Sequence, residues 1–392
     1  MDYSELKGRV LFFGGAFNPV HNGHLMLLKE AASFCRPNGI LLMPSGLSPH
    51  KPGPFIAPRH RLAMLKLAVR NIPGVYISDY EISRKKNSYT AETLDMLYKK
   101  APGVSEWLLL LGGDSLANIR SWYRPERILS RVTPVVMSRP GYGGAELEAQ
   151  CSALTAAYGC RVIRLPYPGP DISSSDIRHG QSAGEDPEGL PSDVLSYIRL
   201  YRLYEPCNYE SRLAAAVKPS TFRHSLGVQE TAIVLAKKWN VNAEQASLAG
   251  LLHDCAKGLP EEELLARLRQ WGYPRLSEET KYLPVLHAPA GAYLAREAYG
   301  VEDEAVLNAI ARHTVPEPEM TDLDKVIFLS DMIEPGRKDY PGLSALREEA
   351  FIDLRQAYVH GLASTISHCR EKGMPVHPGT DRAYQLAISL QP

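Results

Sequence analysis

The chain has 392 residues, which at about 150 per domain sets an expectation of two or three domains. Its 44% apolar and 22% charged residues are ordinary globular values and exclude global disorder. No run approaches the roughly 18 apolar residues of a membrane span, and a net charge of zero argues against a chain that coats nucleic acid. The N-terminus, MDYSELKGRV, enters a strand-like run almost at once and shows no apolar signal region. The six cysteines form no CxxC pair, so a reducing cytosol is the compartment expected. The zero charge conceals an asymmetry: residues 1–204 carry 24 Lys/Arg against 18 Asp/Glu, and residues 205–392 carry 20 against 26. A basic first half suits anionic small substrates, and an acidic second half tolerates cations.

Strand-like runs rich in Val, Ile, Leu and Phe fall at Arg9–Phe13, Ile40–Met43, Val75–Ile82, Trp107–Leu111, Pro134–Met137 and Arg161–Leu165. Helical stretches such as His24–Phe34, Arg59–Val69 and Tyr89–Lys99 lie between them. Short apolar strands alternating with helices predict a parallel sheet covered on both faces. A polar, turn-rich segment at Gln181–Ser192 precedes a short helix over Asp193–Tyr204. Near residue 205 the strand pattern stops. Helices are predicted at Ser225–Trp239, Ala243–Cys255, Glu261–Trp271, Pro289–Tyr299, Glu302–Arg312, Leu323–Ile333 and Ser344–Cys369. The domains expected are therefore 1–204 and 208–392, with no internal repeat.

The first strand runs into Gly14-Gly15-Ala16-Phe17-Asn18-Pro19-Val20-His21-Asn22-Gly23-His24 and then an amphipathic helix. Two glycines after a buried strand let backbone N–H groups approach an anion, and the helix turns its positive end to the same place. His21 and His24, three apart at the helix start, can face one spot. Such donors suit a phosphoryl group whose charge grows during in-line attack. A glycine pair alone is usually just a tight turn; the full string carries the weight.

That string resembles the (H/T)xGH signature of the nucleotidyltransferase superfamily, and GGxFNPxHxGH is similar to its nicotinate mononucleotide adenylyltransferase branch. Ile172–Arg178, ISSSDIR, resembles the family's ISSTxIR segment, in which Ser173, Ser174, Ser175 and Arg178 would grip ATP phosphates. PSGLSPHK at 44–51 resembles the loop after the second strand, with Lys51 as a phosphate contact; SYTAETL at 88–94 and GGDSL at 112–116 with Trp122-Tyr123 resemble further family segments. The resemblance implies a Rossmann-like doubly wound α/β domain over 1–204 that adenylates nicotinate mononucleotide with Mg²⁺-bound ATP. It makes His21, His24 and Arg178 catalytic, and assigns Gly14, Gly15, Phe17, Asn18, Thr90, Asp114, Trp122, Tyr123 and Arg139 to substrate binding. A stacking indole suits a flat pyridinium. Ala16 departs from the family's common Thr or Ser, which leaves backbone N–H groups to serve there. Another acceptor, such as a pantetheine phosphate, is the competing reading, and the Thr90/Trp122 surroundings argue against it.

In the second half, His224, His253-Asp254, His287, His313 and Asp331 recur on helical segments tens of residues apart. Four imidazoles and two carboxylates drawn from separate helices make a mixed N/O site for one or two divalent transition metals. Two such ions could polarise a phosphoanhydride and supply hydroxide. The order H…HD…H…H…D resembles the HD-domain metal phosphohydrolases. The flanking words RHSLGV, LLHDCAK, HAP, ARHT and FLSDMIEPGR narrow this to the YqeK-type HD domains. That resemblance implies an all-α HD domain with iron or manganese on the six ligands, splitting Ap4A symmetrically into two ADP. Lys257 would be catalytic and Arg337 a phosphate contact. Val315-Pro316 and Ser330 depart from the group's usual residues, and His360, His368 and His377 are read as structural. Hydrolysis of a different nucleotide, or a catalytically silent nucleotide-sensing module, are the readings that compete. The partners expected for the whole chain are small nucleotides, with neither nucleic acid nor membrane among them.

Overall fold

A computed structural model describes residues 1–46, 56–84, 87–137, 144–166, 168–183, 185 and 188–390, with the side chains of Asp114 and Gly144 excepted. Lys51 and Arg139 lie outside the described residues. Two compact units divide the chain: Met1–Ile198 with Leu203–Glu205, and Arg199–Arg202 with Pro206–Pro392. Short stretches around residue 200 thus alternate between the units.

The front unit is built on six parallel strands: β1 (Gly8–Gly15), β2 (Gly39–Pro44), β3 (Val75–Ile77), β4 (Val104–Gly112), β5 (Val132–Met137) and β6 (Ile163–Arg164). Their spatial order is β3-β2-β1-β4-β5-β6. β2 is buried along its whole length, GILLMP, as expected of a strand with helices on both sides and no polar alternation. Val10, Phe12, Leu41, Met43, Trp107 and Leu109 join one core cluster, and Leu11, Leu42, Leu108 and Leu110 are equally buried. Consecutive strands leave β1 in opposite directions, so the loops after β1 and β4 diverge and open a crevice at the carboxyl ends of the strands.

The third strand is shorter than the sequence suggests. After Ile77 the Ser78 N–H still donates to Leu42 O, but Ser83 N–H returns to Asp79 O and the chain turns away. The cause is local turn bonding, which outweighs the apolar run through Ile82.

Among the described residues the rear unit has no strand. Asn208, Asn242, Asp303, Thr321 and Asp353 each accept an N–H from the first turn of a helix, which fixes where five of its helices begin. Asp353 also breaks what the sequence predicts as one helix over Ser344–Cys369: the structure has Leu343–Glu349 and Leu354–Glu371, because that cap starts a new helix inside the run. The predicted start at Ser225 moves back to Pro219, where proline occupies a first-turn position that needs no N–H. His224 consequently lies inside this helix rather than at its opening. Among the described residues no helix is long and apolar enough to cross a membrane.

Leu41 is fully buried in the central sheet. Its replacement by Ala should lower the stability of the front unit by about 2–5 kcal/mol in urea titration, since the rigid strands around it cannot close the cavity. A loss of well under about 1 kcal/mol would contradict this packing.

Candidate functional site

In the front unit, β1 ends at Gly14-Gly15, and the chain passes through Phe17 in the left-handed region into a helix, Asn22–Cys35, capped by His21. The rings of His21 and His24 lie 3.8 Å apart between centroids, and His24 Nδ1 accepts the His21 N–H at 3.3 Å. Gly23 is forced by this pairing: a Cβ there would stand 2.9 Å from His21 Nδ1. Phe17 covers His24 at 5.1 Å and Phe13 at 5.3 Å, giving the ring an apolar wall.

The serine segment meets the same turn. Ser173 caps the helix Ser174–Ser182, Ser174 Oγ donates to Pro19 O at 3.0 Å, and Arg178 donates to Asn18 O at 2.8 Å. Arg178 also reaches Ser175 Oγ at 3.1 Å. Tyr204 OH donates to the Asn18 side chain at 2.9 Å, and burial raises that phenol well above its ordinary range. His21, His24, Phe17, Asn18, Ser173, Ser174, Ser175 and Arg178 are thus brought around one loop.

Next to that loop is a cavity of about 410 Å³, lined on one side by Gly14, Gly15 and Ala16 and on the other by Thr90, Trp122 and Tyr123. It sits where β1 and β4 end, the crevice that the strand order predicts. The backbone of Asp114 belongs to the short helix that follows β4.

Two residues that the sequence reading missed hold this cavity. Arg61, 2% exposed, donates from Nη1 to Ala16 O and Ser45 O, both at 2.8 Å, and so ties the loop after β1 to the loop after β2. Glu81, also buried, accepts from Thr93 Oγ1 at 2.6 Å, with Ser88 and the Gly46 backbone nearby. Burial raises its carboxyl above the ordinary value, against those contacts and Arg84. The signals were a charged residue inside an apolar helix face and an acid just before the SYT segment.

In the rear unit the six expected residues converge. His224 comes from the helix Pro219–Lys238, His253 closes Ala243–Leu252, and Asp254 follows in the turn. His287 starts His287–Tyr299, His313 closes Glu304–Arg312, and Asp331 lies in the last turn of Asp322–Ile333. His224 Nε2 is 2.8 Å from Asp331 Oδ1 and 3.8 Å from Asp254 Oδ2. His253 Nε2 is 3.4 Å from Asp254 Oδ2 and 3.7 Å from Asp331 Oδ1. On the other oxygen of Asp254, His287 and His313 stand at 3.2 and 3.6 Å. Three overlapping triads of these residues have their ligand atoms within 4.8 Å of one another.

The outer nitrogens explain the convergence. Nδ1 of His253, His287 and His313 each faces the carbonyl three residues back, on Gly250, Pro284 and Ile310, at 2.8, 2.8 and 2.7 Å. A carbonyl only accepts, so each Nδ1 carries a proton and each Nε2 is the nitrogen turned inward. Burial lowers His253, but the facing Asp254 and Asp331 outweigh it, so that without a cation its inward Nε2 also holds a proton, up to about 10. His313 is held down at about 4 by burial, against Asp254 and with the help of His253 and His287. The imidazoles keep both carboxyls far below their ordinary range despite burial. Inward imidazole nitrogens and ionised carboxylates, four of the six residues buried and His224 and Asp331 half-buried, are the donor set that a divalent cation fits once it displaces the proton on His253.

Lys257 Nζ lies 2.8 Å from Asp254 Oδ2, and Arg337 donates to Asp331 through both its Nε, at 2.6 Å to the carbonyl, and its Nη2. Ser330, a departure from the expected pattern, is satisfied by donating to Val326 O at 2.6 Å.

A cytidylyltransferase-like family profile matches residues 12–180, and an HD domain profile matches 221–336. The chain is 28% identical over 90% of its length, and 97% of the relative's, to the "Probable nicotinate-nucleotide adenylyltransferase/Ap4A hydrolase" of Mycoplasma genitalium. The "Bis(5'-nucleosyl)-tetraphosphatase, symmetrical" of Halalkalibacterium halodurans is 40% identical over 43% of this chain and 90% of its own. The "Probable nicotinate-nucleotide adenylyltransferase" of Roseiflexus castenholzii is 36% identical over 50% of this chain and 98% of its own. The front half belongs to the nicotinate-nucleotide adenylyltransferase family, and the rear half to the symmetrical tetraphosphatase family. The adenylyltransferase unit carries the parallel α/β fold and the HD unit the all-helical one, as the sequence implies. The HD unit uses divalent metal, and its His/Asp cluster is where that metal fits.

A divalent ion that binds only the folded HD unit stabilises it by mass action. Adding Mn²⁺ to chelator-treated protein should therefore raise its thermal midpoint by several degrees, about 2.7 kcal/mol at a hundredfold excess over Kd. An unchanged midpoint would argue against the cluster as a metal centre.

Proposed function

We propose that the chain is a bifunctional enzyme. Residues 1–204 join ATP and nicotinate mononucleotide to give deamido-NAD and pyrophosphate. Residues 208–392 hydrolyse Ap4A to two ADP. The observation that carries the first assignment is the cavity between the Gly14-Gly15 turn and Thr90, Trp122 and Tyr123, beside the His21/His24 pair. The observation that carries the second is the six-residue cluster with its inward nitrogens.

In the front reaction the phosphate oxygen of the mononucleotide attacks the α-phosphorus of ATP, and the bond to the bridging oxygen of pyrophosphate breaks. No nucleophile from the protein is required. His21 and His24 orient the triphosphate and offset the charge that accumulates on the α-phosphoryl oxygens. Gly14 and Gly15 admit the phosphates close to backbone N–H groups, and Phe17 and Asn18 shape the loop. Ser173, Ser174, Ser175, Arg178 and Lys51 contact phosphates, with Mg²⁺ accompanying ATP. Trp122 and Tyr123 provide an aromatic face for the pyridinium, and Thr90, Asp114 and Arg139 complete the mononucleotide site.

In the rear reaction His224, His253, Asp254, His287, His313 and Asp331 hold one or two divalent ions, iron or manganese. When bound, these supply Lewis acidity that activates water and polarises the phosphoanhydride. Asp254 offers one oxygen to the His224/His253 side and the other to the His287/His313 side, which suits two ions. Lys257 and Arg337, with side chains 44% and 36% exposed on the two ligand carboxylates, take the polyphosphate oxygens that approach from solvent.

Replacing His24 by Ala should cut adenylyl transfer by roughly 10²–10³ in kcat with little change in KM, because the ring acts on charge that appears in the transition state. Near-normal turnover in that variant would remove the assignment. Replacing His253 by Ala should abolish metal retention and ADP release from Ap4A while deamido-NAD formation continues. Full metal content in this variant, measured by elemental analysis, would refute the ligand set.

A further inference from the structure

The four imidazoles of the cluster are not held alike. Three place Nδ1 on neutral backbone carbonyls of Gly250, Pro284 and Ile310. The fourth, His224, has its Nδ1 3.0 Å from a carboxylate oxygen, Oε1 of Glu334. Glu334 is 3% exposed and follows Asp331 by three residues, at the end of the same helix. Neither the HD pattern nor the ligand set includes it.

Several contacts fix that carboxylate. Its Oε2 accepts the Gly336 N–H at 2.5 Å, and the Glu334 N–H donates to Ser330 O at 3.1 Å. Arg347 holds the adjoining backbone by donating to the carbonyls of Ile333 and Glu334, both at 2.9 Å. Room has also been left for it. Gly227 lies in the interior of the 20-residue helix that carries His224, where glycine is among the poorest helix formers. A Cβ at that position would fall 2.4 Å from Glu334 Oε2. The approach of the carboxylate accounts for the glycine.

We infer that Glu334 is a positioning residue that fixes the tautomer and direction of His224 in the metal centre. The inference rests on the ligand role proposed for His224. The carboxylate accepts the Nδ1 proton in a charge-assisted hydrogen bond, which keeps the Nε2 lone pair directed at the space between Asp254 and Asp331. A full negative charge polarises the ring more than a peptide carbonyl does, so the Glu334 carboxylate strengthens the hold of His224 on a cation. Glu334 also adds negative charge to the buried site without taking a coordination position.

The test is direct titration of the chelator-treated full chain with Mn²⁺, followed by the electron paramagnetic resonance signal of the free ion. Glu334→Gln keeps an acceptor for Nδ1 and removes the charge; it should weaken Mn²⁺ binding by about 10–100-fold. Gly227→Ala keeps the charge and displaces the carboxylate from His224; it should weaken binding in the same direction, with no loss in the thermal midpoint of the metal-free protein. Both variants binding Mn²⁺ within about twofold of the unaltered protein would overturn the inference and leave Glu334 as a helix-end contact. The unaltered protein binding Mn²⁺ no better than His253→Ala would instead overturn the ligand assignment beneath it.

Discussion

A ring nitrogen binds a cation through a lone pair that has to be aimed, and in the HD unit the hydrogen bonds of the outer nitrogens set that aim. Each outer imidazole nitrogen faces an oxygen of the chain, and this leaves one tautomer and one ring direction. Helix ends make the arrangement economical. His253, His287 and His313 sit at termini, where a carbonyl three residues earlier is within reach of the side chain. The fold gathers these side chains by ending helices at one place. Two carboxylates buried there would otherwise be costly, and the surrounding imidazoles offset them.

The adenylyltransferase unit solves a related problem with cations instead of tautomers. Its loop after β1 is anchored through its carbonyls, an arrangement that suits the phosphate role proposed for it. Arg61 takes those of Ala16 and Ser45, Arg178 takes that of Asn18, and Ser174 takes that of Pro19. A buried guanidinium on two carbonyls is a strained economy unless both are held, since losing one leaves a charged donor unsatisfied in the interior. The parallel order of the strands then opens the crevice beside this loop rather than elsewhere on the sheet.

Much of this was legible in the sequence, for identifiable reasons. A doubly covered sheet writes continuous apolar runs, and all six strands were visible as such, though the run read as a strand over Val75–Ile82 keeps only Val75–Ile77. The histidines and aspartates of the cluster stood out because such residues seldom recur on apolar helices without a purpose. Arg61, Glu81 and Glu334 did not stand out. Their partners are main-chain atoms or residues far along the chain, and nothing local in the sequence marks a charge that is buried by distant segments. Glu334 in particular lies within a recognised word, FLSDMIEPGR, yet its role depends on the outer nitrogen of a histidine 110 residues away. The break at Asp353 was missed because an apolar run through Phe351 and Ile352 hides a cap.

Where the chain passes from one unit to the other has a practical side. Residues 199–202 count with the HD unit, yet the next three return to the adenylyltransferase unit. Among them, Tyr204 places its hydroxyl on Asn18 and accepts the Ser182 hydroxyl on its carbonyl. A truncation just after Ile198 would therefore strip the loop after β1 of its Tyr204 tether while looking clean at the level of secondary structure. Proteolytic or recombinant separation of the halves has to fall beyond Glu205, and a poorly active front fragment cut earlier would report the missing tyrosine rather than a need for its neighbour.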